Sequence, residues 1–449
     1  MIKVIKGTAF SSLTKQDVEI LENHLFCIND EGFIARRISP NEADYETVIR
    51  QAQKNANFLE LTQGQYLLPG FVDLHIHAPQ WAQTGTALDL PLYEWLNTYT
   101  FPLEAKFSDI SFAKKTYSHL VDTLLANGTT TALYFATIHE EASYLLAEIC
   151  AKKGQRGLVG KVVMDEPSQN PEFYRDQSLD EALAGTERFI KRVQLLNNTT
   201  KQGVYPVVTP RFVPSCTTEA LSGLGKIAAQ YDVHITSHCS ESDWAHDHVK
   251  ERFGINDAQV LDGFGLLTEK AIMAHSNFLS DDDAETYLRQ GTAIAHCPIS
   301  NAYFANSVIP IKHFSEMGVE IALGTDLSAG YDPSIYSAIR QAVISSRMLE
   351  DGVDTSKQAS ERGRANSRIT VNEAFYFATA GGGESISLPV GRLAETYAFD
   401  AQIIDTQITD ASMPIFDGFN SLEDIFQKIL YMTQRHNIVA VFVQGEQLK

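Results

Sequence analysis

Between about residues 69 and 385 the chain alternates short β-rich runs with amphipathic stretches of helical period. The runs are FVDLHIH (71–77), TTTALYFA (129–136), GLVGKVVMD (157–165), VYPVVTPRF (204–212), VHITSHCSE (233–241), AIMAHSNF (271–278), TAIAHCP (292–298) and IALGTDL (321–327). Segments such as FAKKTYSHLVDTLLANG, TTEALSGLGKIAAQYD and DDDAETYLRQG lie between them, several closed by glycine in the manner of a helix C-terminus. Parallel strands need crossover connections, so eight strand-then-helix units predict an α/β architecture closed into a (β/α)8 barrel. The flanks read differently. Short alternating segments such as HLFCIND, FIARRIS and NIVAVFVQG, separated by turn residues, predict a small β domain assembled from both chain ends. The expected organisation is therefore residues 1–68 and 386–449 in that small domain, with 69–385 forming the barrel. The segment between Ala78 and Asp109 is long for a β/α loop, and such loops on a barrel's C-terminal face commonly serve as lids or binding surfaces.

Composition narrows the partners. A chain of 449 residues with 44% hydrophobic content can bury a barrel and a satellite. Its net charge of -20 repels phosphate backbones and anionic lipid, and no local Lys/Arg cluster offsets it, so neither nucleic acid nor a membrane is expected as partner. No run has the apolar length of a membrane span, and no signal-like apolar region follows the first basic residues; a cytoplasmic protein is the expectation. Five scattered cysteines without C-x-x-C spacing read as reduced thiols, with Cys239 a small buried filler rather than a nucleophile.

Candidate chemistry sits at the ends of the predicted strands. In FVDLHIHAPQ, His75 and His77 share one strand face, since alternate residues point the same way. H-x-H alone is equally a pair of hydrogen-bonded core histidines. Barrel active sites lie at the C-terminal strand ends, however, and there the fifth run brings His238 and Glu241, the sixth His275 and the eighth Asp326. Imidazoles and a carboxylate converging on one rim suit a borderline divalent ion, zinc first and ferrous iron second, with a position left for water. An ion of that kind supplies hydroxide near neutral pH. Glu241, beside His238, is placed as a general acid/base; its alternative is a salt bridge at the start of the next helix. For Asp326 the alternative is a helix cap. Metal-assisted hydrolysis is the reaction class that follows.

The succession LPGFVDLHIH, SHCSE, MAHSNFLS, AHCPISN and LGTDLSAGY resembles the amidohydrolase superfamily. WLNTYTFPLEAKF, NGTTTALYFATIH, GKVVMD, VVTPRF and GRLAETYAFDAQIID extend the resemblance over most of the chain. It implies hydrolytic deamination of a purine, guanine to xanthine and ammonia, at one zinc per chain in a homodimer. It makes His75, His77, His238 and Asp326 the metal site, places His275 near the attacking water and matches Glu241 to the proton shuttle. Gln80, Arg211 and Phe212 correspond to residues that hold the purine, with Arg211 donating to its carbonyl unless it only pairs with a neighbouring carboxylate. Binuclear members use a lysine at a strand end; Lys161, the one inward candidate, lies well before its strand's end and reads as structural. Alternatives are an aminohydrolase acting on a pterin, triazine or other purine, and a barrel that serves as a non-catalytic scaffold.

Overall fold

The structure, a computed structural model, describes residues 3–410 and 412–449. Eight parallel strands stand in chain order side by side: Phe71–His77, Thr129–Phe135, Arg156–Val163, Val204–Pro210, His234–Cys239, Ala271–His275, Ala293–His296 and Ile321–Leu323. Each falls within or beside one of the predicted runs. The first three are buried along their whole length, as parallel strands covered on both faces must be. Backbone bonds just past the last strand close the ring. Asp326 N donates to His75 O (2.9 Å) and His77 N to Leu327 O (2.6 Å). The Asp73 carboxylate reinforces the seam, accepting from Thr325 N (3.0 Å) and Thr325 Oγ1 (2.6 Å). The fold is an α/β barrel with a second sheet.

Local chemistry explains the intervening helices. Helix Asp281–Gln290 begins at Ser280, whose hydroxyl caps the Asp283 N–H while Asp283 answers in return. Three aspartates occupy its first turn, where the helix dipole favours negative charge, and Gly291 ends it at φ 74°. Helix Thr218–Tyr231 is capped by Thr217 and ends instead at Asp232, in the left-handed region at φ 50°.

The second sheet is built from both ends of the chain. Lys3–Ser12 pairs antiparallel with Val18–Ile28, which pairs with Ile34–Ile38. On its other edge Lys3–Ser12 pairs parallel with Gln65–Pro69 and Phe58–Glu60; Ala401–Asp405, Ile438–Val443 and Glu446–Gln447 then extend the sheet. Two helices that the alternating pattern does not announce, Tyr45–Lys54 and Leu422–Met432, pack onto this region and the barrel. Among the described residues no helix is long and apolar enough to cross a membrane.

Arg156, at the start of the third barrel strand, ties the two parts together. Its guanidinium pairs with Asp400 and donates to Gln444 Oε1 (2.6 Å), while Asp400 also accepts from Gln444 N (2.8 Å). All three side chains are buried. Removing one partner of a buried ion pair strands the other charge, which typically costs about 3–5 kcal/mol. Arg156→Met is therefore expected to lower the urea and thermal midpoints markedly; unchanged midpoints would show that the pair does not secure the junction.

Candidate active site

The C-terminal ends of the barrel strands meet at a small recess. His77, Gln80, Arg211, Phe212, His238, Glu241 and Asp326 all line it, together with Leu92, Trp95, Leu96 and Ala329. The long segment after the first strand supplies four of these, Gln80, Leu92, Trp95 and Leu96. It folds as a succession of short helical turns, Ala78–Gln83, Leu92–Trp95, Leu96–Thr100 and Phe101–Ala105, that brings Leu92, Trp95 and Leu96 to the wall of the recess.

At the floor lie the histidines. His77 Nε2 and His238 Nε2 approach to 2.9 Å, His75 Nε2 stands 3.3 Å from Asp326 Oδ1, and His77 Nε2 stands 3.7 Å from the same oxygen. One donor atom from each of His75, His77 and His238 falls within 4.8 Å of the others; a second such group joins His75 and His275 with Cys297 and Asp326. Burial holds His75, His77 and His238 well below the ordinary imidazole range, with neighbouring imidazoles or Arg211 adding to the effect. They are neutral, as ligands must be.

Their orientation is set from behind. His238 Nδ1 donates to the Arg211 carbonyl (2.5 Å), which leaves the lone pair on Nε2, aimed at His77. His275 Nδ1 donates to Asn301 Oδ1 (2.8 Å), so its Nε2 lone pair faces Glu241 Oε1 at 3.7 Å and Asp326 Oδ2 at 3.9 Å. His275 at φ 68° and Asp326 at φ 52° sit in the left-handed region, as do the neighbouring Ser240 and Ser276, a conformation costly for side-chain-bearing residues and concentrated at functional sites.

Several of these polar atoms are buried without any hydrogen-bond partner: both ring nitrogens of His75, His275 Nε2 and both carboxylate oxygens of Asp326. Burying an unsatisfied polar atom costs about 1–3 kcal/mol, so a cluster of them in one spot needs a compensating charge. A divalent cation shared by neutral imidazoles and a carboxylate would supply it, and the donor set fits such an ion. Lys161 lies elsewhere, its Nζ 3.2 Å from Val162 O and 3.7 Å from Asp176.

Glu241 is 8% exposed. Burial first, then the Asp326 charge, pushes its carboxyl up to about 8, against a lowering by Arg211; burial pushes Asp326 up to about 6. A cation held beside Asp326 would offset part of that repulsion and draw the Glu241 pKa down towards about 7, the range in which a proton carrier works. Asn277 Nδ2 fixes the segment by donating to the Glu241 carbonyl (2.8 Å).

Of the two roles weighed for Arg211, the pairing with a neighbouring carboxylate is present. Arg211 lines the recess, and it is also paired on both terminal nitrogens with Glu104 (2.7 and 3.2 Å) and lies over the Phe101 ring at 5.0 Å. Glu104, fully buried, is the main residue that sequence reasoning missed; it stands in WLNTYTFPLEAKF, a segment noted only for resemblance. Cys297 was missed too, although TAIAHCP marked its strand end. Cys239 is buried, as are the other four cysteines, and all five are free.

A parallel barrel with this rim places the chain in a class. It belongs to the amidohydrolase family, whose model matches residues 66–448. Over its whole length it is similar to the guanine deaminase of Dictyostelium discoideum, at 38% identity covering 100% of this chain and 98% of that protein. The human guanine deaminase is 37% identical, covering 99% and 96%. Among solved structures, a guanine deaminase from C. acetobutylicum with guanine bound in its active site superimposes with a TM-score of 0.87, 30% identity and full coverage of both chains.

Proposed function

We propose that the chain is a guanine deaminase, a hydrolase of cyclic C–N bonds that converts guanine and water to xanthine and ammonia. One observation carries the reading: Glu241, Arg211, Gln80 and Phe212 line the same small recess as His77, His238 and the partnerless carboxylate of Asp326, in a chain similar end to end to guanine deaminases. His75, His77, His238 and Asp326 would hold a single metal ion, zinc in preference to ferrous iron. Bound there, such an ion brings the pKa of a water towards neutrality.

The remaining chemistry belongs to the side chains. Asp326 takes a proton from the attacking water as its oxygen bonds to the carbon bearing the exocyclic amine. Glu241 passes a proton to the adjoining ring nitrogen, and His275, whose Nε2 faces both carboxylates, orients the water. Asp326 then returns its proton to the amine, the added hydroxyl gives its proton to Glu241 as its oxygen becomes the product carbonyl, and the C–N bond breaks to release ammonia. Phe212 offers a ring face to the purine, and Arg211 donates to its carbonyl. A buried site makes each of these interactions stronger than it is in water.

The same reading carries a homodimer in the cytoplasm, with residues 1–68 and 386–449 as one small domain and 69–385 as the barrel. Five free buried thiols suit the reducing compartment in that reading. Metal stoichiometry tests the site. One tightly bound ion per chain is expected by elemental analysis, with activity lost on chelation and restored by zinc; two ions per active chain, or full activity after rigorous chelation, would contradict it.

A further inference from the structure

Glu104 reaches neither the histidines nor the opening, yet it contacts both polar side chains that face the recess from the side opposite them. Its Oε1 accepts from Gln80 Nε2 (2.9 Å) and Arg211 Nη2 (3.2 Å), and its Oε2 from Arg211 Nη1 (2.7 Å). Gln80, Glu104 and Arg211 are 1%, 0% and 4% exposed. A carboxylate can only accept hydrogen bonds, so the Gln80 amide must turn its NH2 towards Glu104. Its oxygen is thereby turned away, and Gln80 Oε1 is buried at the recess with no partner in the protein. Arg211 uses two of its five N–H groups on Glu104, directs a third at Met164 Sδ (3.8 Å), lies over the Phe101 ring at 5.0 Å, and keeps the remaining two as donors.

We propose that Glu104 is a positioning residue that fixes a donor on Arg211 beside an acceptor on Gln80, and so sets which purine edge the recess accepts. The proposal rests on the guanine reading. Guanine presents a ring N–H next to a ring carbonyl, the complement of an acceptor beside a donor; adenine presents a bare ring nitrogen next to an amine and is mismatched at both positions. Without the Glu104 carboxylate the Gln80 amide is free to rotate its NH2 into the recess, where it meets the ring N–H as donor against donor. Arg211 also loses the partner that keeps its plane in register.

The test compares kcat, KM and metal content for guanine in the wild type, Glu104→Gln, Gln80→Ala and the double variant. Glu104→Gln is expected to raise KM roughly 10- to 100-fold, the range for losing hydrogen bonds to a charged group, with kcat changed by less than about threefold and metal content unchanged. In the Gln80→Ala background the same substitution should have a smaller effect, because part of it acts through Gln80. A normal KM in Glu104→Gln, a loss confined to kcat, or effects that multiply in full would overturn the positioning role. Should Glu104→Gln alone fail to fold, Arg211→Met/Glu104→Gln removes both buried charges together. Its kcat/KM should fall below that of Arg211→Met, since Gln80 still loses its anchor; equal values would overturn the role. A wild type that does not turn over guanine overturns the activity and this role with it, whereas normal wild-type turnover with a normal Glu104→Gln overturns the role alone.

Discussion

Glu241→Gln should lower kcat for guanine by roughly 10²- to 10⁴-fold, the span associated with losing a general acid/base, while leaving metal content and fold intact. Glutamine matches glutamate in shape, and the segment is held through its backbone carbonyl by Asn277 rather than through the side chain. Neither metal-ligating group of side chains includes Glu241. The substitution therefore removes a titrating proton carrier and little else. If the variant instead arrives without metal and regains turnover when zinc is supplied, Glu241 is a ligand and its assigned role is wrong.

Arg211→Met is the second large effect. Among the described residues the guanidinium is the one Lys or Arg cation that lines the recess, and methionine keeps its length and packing on Phe101 without any donor. A site that has lost a specific hydrogen bond to its substrate discriminates against it by orders of magnitude, so kcat/KM for guanine should fall by roughly 10² to 10⁴. Glu104 is simultaneously left buried without its counter-charge, and a lowered melting temperature is expected alongside. Metal content should not change, because Arg211 touches His238 only through its own backbone carbonyl. Near-normal guanine turnover in this variant would show that the carbonyl is read elsewhere.

The barrel was legible because its signal is local and repeated. Eight apolar runs, each followed by a helical pattern and a turn, leave few architectures open, and polar residues at the run ends then fall on one rim by topology alone. His75 and His77 illustrate the limit of a single motif: H-x-H became interpretable only beside His238 and Asp326. The helices Tyr45–Lys54 and Leu422–Met432 carried signals, buried Tyr45, Ile49 and Ala52 at helical spacing in one and Ser421 capped with Asp424 in the other. They lie among short strands whose alternation dominates the flanks. Glu104 was beyond reach for a different reason. Its pairing with Arg211 spans 107 positions and starts from a segment of short helical turns with no sustained period, so nothing local marks the contact. Asp73 likewise reads as one polar residue in an apolar run until Thr325 is seen beside it.

The most direct test is product analysis with the zinc-loaded wild type offered guanine and adenine separately. A pocket built around an Arg211 donor and a Gln80 acceptor predicts xanthine and ammonia in equal amounts from guanine, with adenine slower by roughly 10⁴ or more. No xanthine from guanine, or adenine deamination at a comparable rate, would contradict the account.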